Sequence, residues 1–169
     1  MRPVYIMLVG LPGSGKSTLR SHIVERWGSQ IVPLSTDDWI ESLVKGSNLT
    51  YNDVFAQSIK GANNVLCNIR QMAMTEGADM IHDQTSLSSK RRRGNLLQVR
   101  RGYTKIGILC QCSEDDRQRR LAGRPGKIIP PNVDQSMRDA YTPPTLEEGF
   151  DVVTLAQDID NVLEAYFKR

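Results

Sequence analysis

The chain has 169 residues, a net charge of +3 and 39% hydrophobic residues. This length predicts one domain over residues 1–169 with a core of its own. No apolar stretch approaches the ~20 residues of a membrane span, and the apolar run near the N-terminus is too short for a signal peptide. We therefore expect a cytoplasmic protein with no membrane partner. Cys67, Cys110 and Cys112 are few and odd in number, which favours buried free thiols over disulfides or a zinc site.

The first predicted elements, a strand over 4–9 and a helix over 17–27, flank a glycine-rich octapeptide. Residues 10–17 read Gly-Leu-Pro-Gly-Ser-Gly-Lys-Ser and fit G-x-x-x-x-G-K-[ST], the pattern of a phosphate-binding loop. Glycines allow backbone amides to converge on phosphate oxygens at a helix N-terminus. The pattern predicts bound ATP, held by Gly13, Ser14, Gly15, Lys16, Ser17 and Thr18. We expect Lys16 at the β- and γ-phosphates and the Ser17 hydroxyl as a ligand of Mg²⁺.

Carboxylates follow the second and third predicted strands, over 31–34 and 78–83. Phosphoryl transfer to a hydroxyl needs a proton acceptor, and Asp37 is the candidate for this general base. The alternative is that Asp37 only caps the helix predicted over 38–44, although Asp38 suits a cap better. Asp83 is placed to order Mg²⁺-bound water or to touch the acceptor, and the alternative is an Asx turn. His82, on the other face of its strand, is interpreted as structural.

The remaining predicted elements continue the alternation of helices and strands. They are a helix over 51–76 capped by Gly77, a basic helix over 88–101, a strand over 103–112, a helix from Ser113 to about Gly123, a short helix over 133–141, a strand over 150–155 and a helix over 159–167. This order predicts an α/β domain with a parallel sheet of about five strands flanked by helices. Because ligands bind beyond the carboxyl ends of such strands, we expect the phosphate loop, Asp37 and Asp83 to converge.

Two basic clusters stand out. The first contains Lys90, Arg91, Arg92, Arg93, Arg100, Arg101 and Lys105, and the second contains Arg117, Arg119, Arg120, Arg124 and Lys127. Each indicates either a polyanionic partner or a solvated helix face. Arg120 and Arg124 lie four residues apart before a Pro/Gly-rich loop. They indicate a lid over approximately 117–131 that stabilises the transferring group, or else a basic surface helix. Trp39 is expected either to stack on an acceptor base or to pack in the core.

Taken together, these blocks resemble the kinase domain of bacteriophage polynucleotide 5′-hydroxyl kinases, within the P-loop kinase superfamily. The resemblance lies in residues 10–18, 35–39, 82–87 followed by Arg91 and Arg92, 120–130 and 133–137. It implies that Asp37 is the general base and Arg124 the catalytic lid arginine, with Arg120 beside it. It further implies that Asp83, Thr85, Arg91, Arg92 and Trp39 form the acceptor site.

The chain departs from that family at two positions beside the base. Ile40 stands where the family has an arginine that grips the acceptor phosphate, and Thr36 replaces a basic residue. The phosphatase domain of the best-known members is also absent. The acceptor is then held differently, by Arg91, Arg92 or Arg93, or it is not an ordinary nucleic-acid end.

The reaction expected from these residues is transfer of the γ-phosphoryl group of ATP, with Mg²⁺, to the 5′-hydroxyl of DNA or RNA. Lys16, Asp37, Arg120 and Arg124 are the catalytic candidates, and a nucleic-acid strand is the expected partner. One alternative is a kinase of another hydroxyl, such as a hydroxymethylated base in DNA, a nucleotide or a sugar-like metabolite. Others are a non-catalytic nucleotide-binding regulator and a non-catalytic nucleic-acid-binding module.

Overall fold

The computed structural model describes residues 2–28 and 30–167, so residues 1, 29, 168 and 169 of the predicted domain lie outside the described part. Within it, five strands form one all-parallel sheet: β1 (Val4–Val9), β2 (Val32–Leu34), β3 (Met80–His82), β4 (Thr104–Leu109) and β5 (Val152–Leu155). Their order in the sheet is β2-β3-β1-β4-β5. The predicted α/β fold with a parallel sheet is confirmed.

Seven α-helices of the described residues flank this sheet. They are α1 (Lys16–Trp27), α2 (Thr36–Val44), α3 (Tyr51–Glu76), α4 (Ser89–Leu97), α5 (Glu114–Ala122), α6 (Pro131–Ala140) and α7 (Ile159–Phe167). None of the helices so described has the length and apolar character required to cross a membrane. The bounds of α3 match the sequence prediction residue for residue, and α7 begins at the predicted Ile159.

Local sequence signals explain why α3 was predicted so closely. Thr50 and Asp53 form a reciprocal capping box at its start. At its end, Gly77 adopts the left-handed conformation with φ 67°. The basic helix α4 is shorter than predicted, because its backbone closes at Gln98 and Val99 turns into the core. Helix α6 begins at Pro131, earlier than predicted, because proline suits the first turn of a helix.

The sheet, with β1 at its centre, divides the core into two layers. The side chains of β1 alternate between the two faces of the sheet, and all six residues of this strand are buried. One layer packs under α3 and α4 and includes Tyr5, Met7, Val9, Leu34, Met80, Leu96 and Phe150. The other packs under α1 and α7 and includes Val4, Ile6, Leu8, Ile23, Ile81, Ile106 and Leu163. Helices on both faces leave the carboxyl edge of the sheet open for a ligand.

The cysteines fit their prediction only in part. Cys110 is buried and Cys112 is half-buried, whereas Cys67 is exposed on α3. The prediction was wrong for Cys67 because the buried face of α3 includes Leu66 and Arg70 instead. All three thiols are free. In the described ranges, no group of three or more His, Cys, Asp or Glu side chains is arranged to hold a metal ion.

Candidate active site

A cleft of about 550 Å³ opens at the carboxyl ends of β1, β2 and β3. It brings together predicted site residues that are far apart in sequence, namely Lys16, Ser17, Asp37, Asp83 and Arg124. The topology explains this convergence, because β1 lies next to β3 and β3 next to β2. The loops that follow these strands therefore meet at one edge of the sheet.

The phosphate loop between β1 and α1 is shaped to receive phosphate oxygens. Gly13 and Gly15 adopt φ values of 83° and 96°, which side-chain-bearing residues rarely tolerate. The ammonium of Lys16 is buried and donates to the carbonyl oxygens of Gly10 and Leu11, each at 2.9 Å. Burial lowers the pKa of Lys16, although the charge of Asp83 opposes this effect. Within the described residues the buried Ser14 hydroxyl has no hydrogen-bond partner. A polar, cationic cradle with an orphaned donor fits a triphosphate.

Ser17 and Asp83 form the best place for a magnesium ion. The Ser17 hydroxyl and the Asp83 carboxylate both line the cleft, and the nearby hydroxyl acts to lower the pKa of Asp83. Burial raises the pKa of Asp83, while Arg20, whose Nη1 lies 3.3 Å from Asp83 Oδ2, and Ser17 oppose it. Hydroxyl and carboxylate oxygens are the ligands that Mg²⁺ prefers, so this pair fits the ion. Arg20 was missed from the sequence, although its position one helical turn after Lys16 would have indicated it.

Both oxygens of the Asp37 carboxylate are occupied by donors. The Tyr51 hydroxyl donates to Oδ1 and the Lys127 ammonium to Oδ2, both at 2.7 Å. The cap of α2 is Ser35, whose hydroxyl accepts from the Asp38 amide, so neither aspartate side chain caps this helix. Burial would raise the pKa of Asp37, but the charge and hydrogen bond of Lys127 and the bond from Tyr51 outweigh it and hold the pKa below its usual range. Asp37 is therefore ionised at neutral pH.

The predicted lid residues lie over the phosphate loop. Arg124 lines the cleft, and Arg120 Nη1 donates to the carbonyl oxygen of Gly13 at 3.2 Å. Behind them, Arg117 is buried and pairs with Asp134 of α6 at 2.7 Å and with Glu114 at 2.9 Å. This network ties α5 to α6 and holds the base of the lid in place.

The tip of the predicted lid is bonded to the start of α3. The Asn52 side-chain amide donates to the Ile128 carbonyl oxygen at 2.8 Å, and its oxygen accepts from the Ile128 amide at 2.9 Å. The Asn52 backbone amide also donates to the Gly126 carbonyl oxygen. The sequence did not indicate roles for Asn52 and Tyr51, because their hydrogen-bond partners Ile128 and Asp37 are 76 and 14 residues away along the chain. No local pattern links such positions.

The side of the cleft across from the phosphate loop is mainly apolar. The rings of Tyr51 and Phe55 lie 5.4 Å apart at a tilt of 31°. Ile59, Ile129, Val133 and Met137 line the cleft with them. Leu121 lies beside the phosphate loop instead, 3.2 Å from where a side chain on Gly13 would begin. Polar side chains that line the cleft come from Asn63, Gln84, Thr85 and Arg91. Thr85 also fixes the loop geometry, because its carbonyl oxygen accepts from the Gly10 amide.

His82 has the structural role expected for it. Its ring is buried, and burial lowers its pKa to about 4. Nε2 bonds the Gln84 side-chain oxygen, which only accepts. Nδ1 is then the acceptor from the Tyr5 hydroxyl. Gln84 in turn donates to the Thr36 hydroxyl, so a neutral chain of hydrogen bonds runs from the sheet to the residue before Asp37.

Two predicted acceptor residues do not line the cleft. Arg92 is fully buried and makes a two-point ion pair with Glu148, while its remaining donors bond backbone carbonyl oxygens of residues 86, 87, 142 and 143. Trp39 packs between α2 and α3, with its ring 3.4 Å from where a side chain on Gly61 would begin. Their predicted roles are corrected to structural ones. Arg91, by contrast, lines the cleft.

A model of the AAA domain family matches residues 5–144, and the chain therefore belongs to this family. No curated protein matches the sequence. Among solved structures, a candidate kinase from Chloroflexus aurantiacus J-10-fl is similar, with 20% identity, a TM-score of 0.71 and 98% of each chain covered. A fungal RNA kinase has 14% identity and a TM-score of 0.62, with 99% of this chain and 88% of that chain covered.

A gluconokinase from Sinorhizobium meliloti 1021 is also similar, with 18% identity and a TM-score of 0.53. Here 98% of this chain and 90% of that chain are covered. These likenesses confirm the predicted P-loop kinase fold. The acceptor implied by the resemblance to phage polynucleotide kinases stays a prediction, because the similar structures include both an RNA kinase and a gluconokinase.

Proposed function

We propose that this member of the AAA domain family is an ATP- and Mg²⁺-dependent kinase that phosphorylates a hydroxyl of a nucleic acid, first of all the 5′-hydroxyl of a DNA or RNA strand. The observation that carries the proposal is the position of an ionised carboxylate, Asp37, between a phosphate loop and an aromatic wall. The residues around the phosphate loop account for binding of the phosphoryl donor, and the aromatic wall accounts for binding of the acceptor.

On the donor side, Lys16 and the loop amides hold the β- and γ-phosphates, and Ser17 with Asp83 holds Mg²⁺. The ion supplies charge compensation on the phosphate oxygens. Arg124, already in the cleft, adds positive charge where negative charge develops. Lys16 then exchanges its two loop carbonyls for phosphate oxygens, which are stronger acceptors.

In the transfer step, the bond between the γ-phosphorus and the β,γ-bridging oxygen breaks, and ADP leaves. A bond forms between the acceptor oxygen and the γ-phosphorus. Asp37 orients the acceptor hydroxyl and takes its proton late in the reaction. The low pKa of Asp37 keeps the carboxylate available as an acceptor, and Tyr51 fixes its orientation through Oδ1.

The acceptor wall favours a nucleoside over a polyol. A polyol such as gluconate presents a hydroxyl on nearly every carbon, whereas Phe55, Ile59 and Met137 offer no hydrogen bonds and leave Asn63, Gln84, Thr85 and Arg91 as the polar groups nearby. Nucleobases and deoxyriboses present flat or apolar faces, and bases stack readily on an exposed ring such as that of Phe55. The wall therefore supports an acceptor that places a base or sugar face beside its hydroxyl.

The exposed basic residues next to the cleft support a polymeric acceptor. Helix α4 follows β3, so its first turn stands at the cleft. Arg91 lines the cleft, and Lys90 and Arg93 on the same helix are exposed. A strand that leaves the cleft along α4 would meet these cations with its phosphates, which predicts salt-dependent binding.

The second candidate is a kinase of a hydroxymethylated base within DNA. The same wall would hold the base itself, with its hydroxymethyl group directed at Asp37. The buried Ile40 favours this candidate, since α2 offers no cation for a phosphate adjacent to the acceptor hydroxyl. A non-catalytic regulator fits less well, because Lys16, Asp37 and Arg124 share one cleft.

An acceptor screen tests the proposal. The protein is incubated with γ-labelled ATP and Mg²⁺ together with 5′-hydroxyl DNA, 5′-hydroxyl RNA, duplex DNA with hydroxymethylated bases, free nucleosides and gluconate. We expect label on the 5′-end of the strands. Label on the modified bases alone selects the second candidate. Label on gluconate or free nucleosides alone contradicts the nucleic-acid assignment.

A further inference from the structure

Lys127 is the cation that contacts the proposed general base. Its ammonium lies 2.7 Å from Asp37 Oδ2, 2.7 Å from Glu41 Oε1 and 4.2 Å from the centroid of the Tyr51 ring. An ammonium carries three N–H donors, so the two carboxylates leave one of them available. The side chain is 20% exposed and lines the cleft. A bound acceptor therefore comes within reach of this third donor.

The surroundings of Asp37 create a charge problem for an anionic acceptor. Asp37 and Glu41 side chains are about half exposed, at 49% and 53%, and their charges repel a phosphate at short range. Residue 40, one helical turn from Asp37, is a fully buried isoleucine that packs against α3. Helix α2 thus supplies two negative charges to this corner of the cleft, and Ile40 offers no positive one.

The other cations that line the cleft stand elsewhere. Lys16 is held by the phosphate loop, and Arg124 follows α5, the helix whose Arg120 contacts that loop. Arg91 comes from α4, on the wall of Gln84 and Thr85. Lys127 alone among these four donates to Asp37. From this geometry, and resting on the proposed function, we infer that Lys127 binds the phosphate next to the acceptor hydroxyl.

This assignment gives the lid a part in acceptor selection. When the acceptor hydroxyl takes a place at Asp37 Oδ2, Lys127 keeps Glu41 as its anchor and turns a freed donor to the adjacent phosphate. Lys127 and Arg124 belong to the same lid. An acceptor whose phosphate binds Lys127 therefore also holds Arg124 in position over the cleft. Lys127 is a positioning residue, since no bond of the transfer step is made or broken at its nitrogen.

The test compares two 5′-hydroxyl oligonucleotides that differ only at the first linkage, a normal phosphodiester or an uncharged methylphosphonate. KM and kcat are measured for the unaltered protein, Lys127→Ala, Lys127→Arg and Arg91→Ala. Lys45→Ala, which removes an exposed lysine at the end of α2, is the matched control. The phosphodiester is expected to have a KM about tenfold lower, the size of one charge-assisted hydrogen bond. This preference should vanish in Lys127→Ala and survive in Lys127→Arg and Lys45→Ala.

The outcomes separate this inference from the proposed function. If Lys127→Ala raises KM equally for both oligonucleotides, Lys127 only fastens the lid and the inference is wrong. If the preference vanishes in Arg91→Ala and persists in Lys127→Ala, Arg91 is the phosphate ligand and the inference is again wrong. If the unaltered protein phosphorylates neither oligonucleotide, the proposed function itself is contradicted.

Discussion

At the scale of single residues, the charge of Asp37 is set by a partner that no neighbouring sequence reveals. Lys127 lies 90 residues further along the chain, yet it donates to Asp37 at 2.7 Å. The sequence identified Asp37 correctly as a cleft residue because it follows a strand. The sequence indicated Lys127 only as one member of a basic cluster. Its contact with Asp37 depends on how the lid folds, and no periodic pattern in the sequence reveals such a contact.

Replacing Lys127 by methionine tests this electrostatic link. The variant loses the charge and hydrogen bond that lower the pKa of Asp37, while burial, which raises it, remains. A carboxylate with a higher pKa is protonated at higher pH. The acid limb of kcat/KM, which reports the free enzyme, is therefore expected to move to higher pH in Lys127→Met and to stay in place in Lys127→Arg. A pH–rate profile with an unmoved acid limb in Lys127→Met would contradict the link.

At the scale of elements, the lid is docked by close backbone contact as well as by side chains. Gly126 has φ 75°, and a side chain there would begin 2.9 Å from Thr50 Cβ, at the N-cap of α3. Only glycine allows this approach. The sequence predicted a lid from Arg120, Arg124 and the Pro/Gly-rich loop. It could not predict the docking surface, because the residues that receive the lid belong to another helix.

Two glycine substitutions of the lid separate docking from flexibility. Gly126→Ala is expected to release the lid from α3, since it adds both a clash and a strained φ, and to speed tryptic cleavage within residues 117–131 on the order of tenfold. Gly123→Ala is the matched control, because Gly123 has φ −78° and its nearest neighbours would lie 3.7 Å away. Equal cleavage rates for the two variants, measured by limited proteolysis, would rule out this docking.

At the scale of the whole molecule, one buried ion pair joins α4 to the segment before β5. Arg92 and Glu148 side chains are 0% and 2% exposed, and the pair fastens a stretch of chain that covers one layer of the core. The sequence placed Arg92 in a run of four adjacent cations, residues 90–93, and could not tell the buried one from its exposed neighbours. The strand–helix order, by contrast, followed from apolar periodicity and capping residues alone.

Variants that break this ion pair measure its contribution to the free energy of unfolding. Arg92→Met leaves Glu148 buried and unpaired, and the free energy of unfolding is expected to fall by about 3–5 kcal/mol. Arg93→Met, at an exposed position of the same helix, should change it by less than about 0.5 kcal/mol. Urea denaturation gives both values. If Arg92→Met does not fold, Glu148→Gln gives a milder loss of about 1–3 kcal/mol. An unchanged midpoint in both pair variants would contradict the structural role of Arg92.

The proposed reaction requires a carboxylate and a phosphate loop that act on one ATP in one cleft. Single-turnover transfer from γ-labelled ATP to a 5′-hydroxyl oligonucleotide tests this directly when the unaltered protein is compared with Asp37→Asn and with Asp38→Asn, its exposed neighbour. We expect Asp37→Asn to slow transfer about 10²–10⁴-fold while the Kd for ATP stays within about threefold, and Asp38→Asn to transfer within about fivefold of the unaltered protein. Transfer by Asp37→Asn at a rate within about tenfold of the unaltered protein would show that Asp37 is not the base.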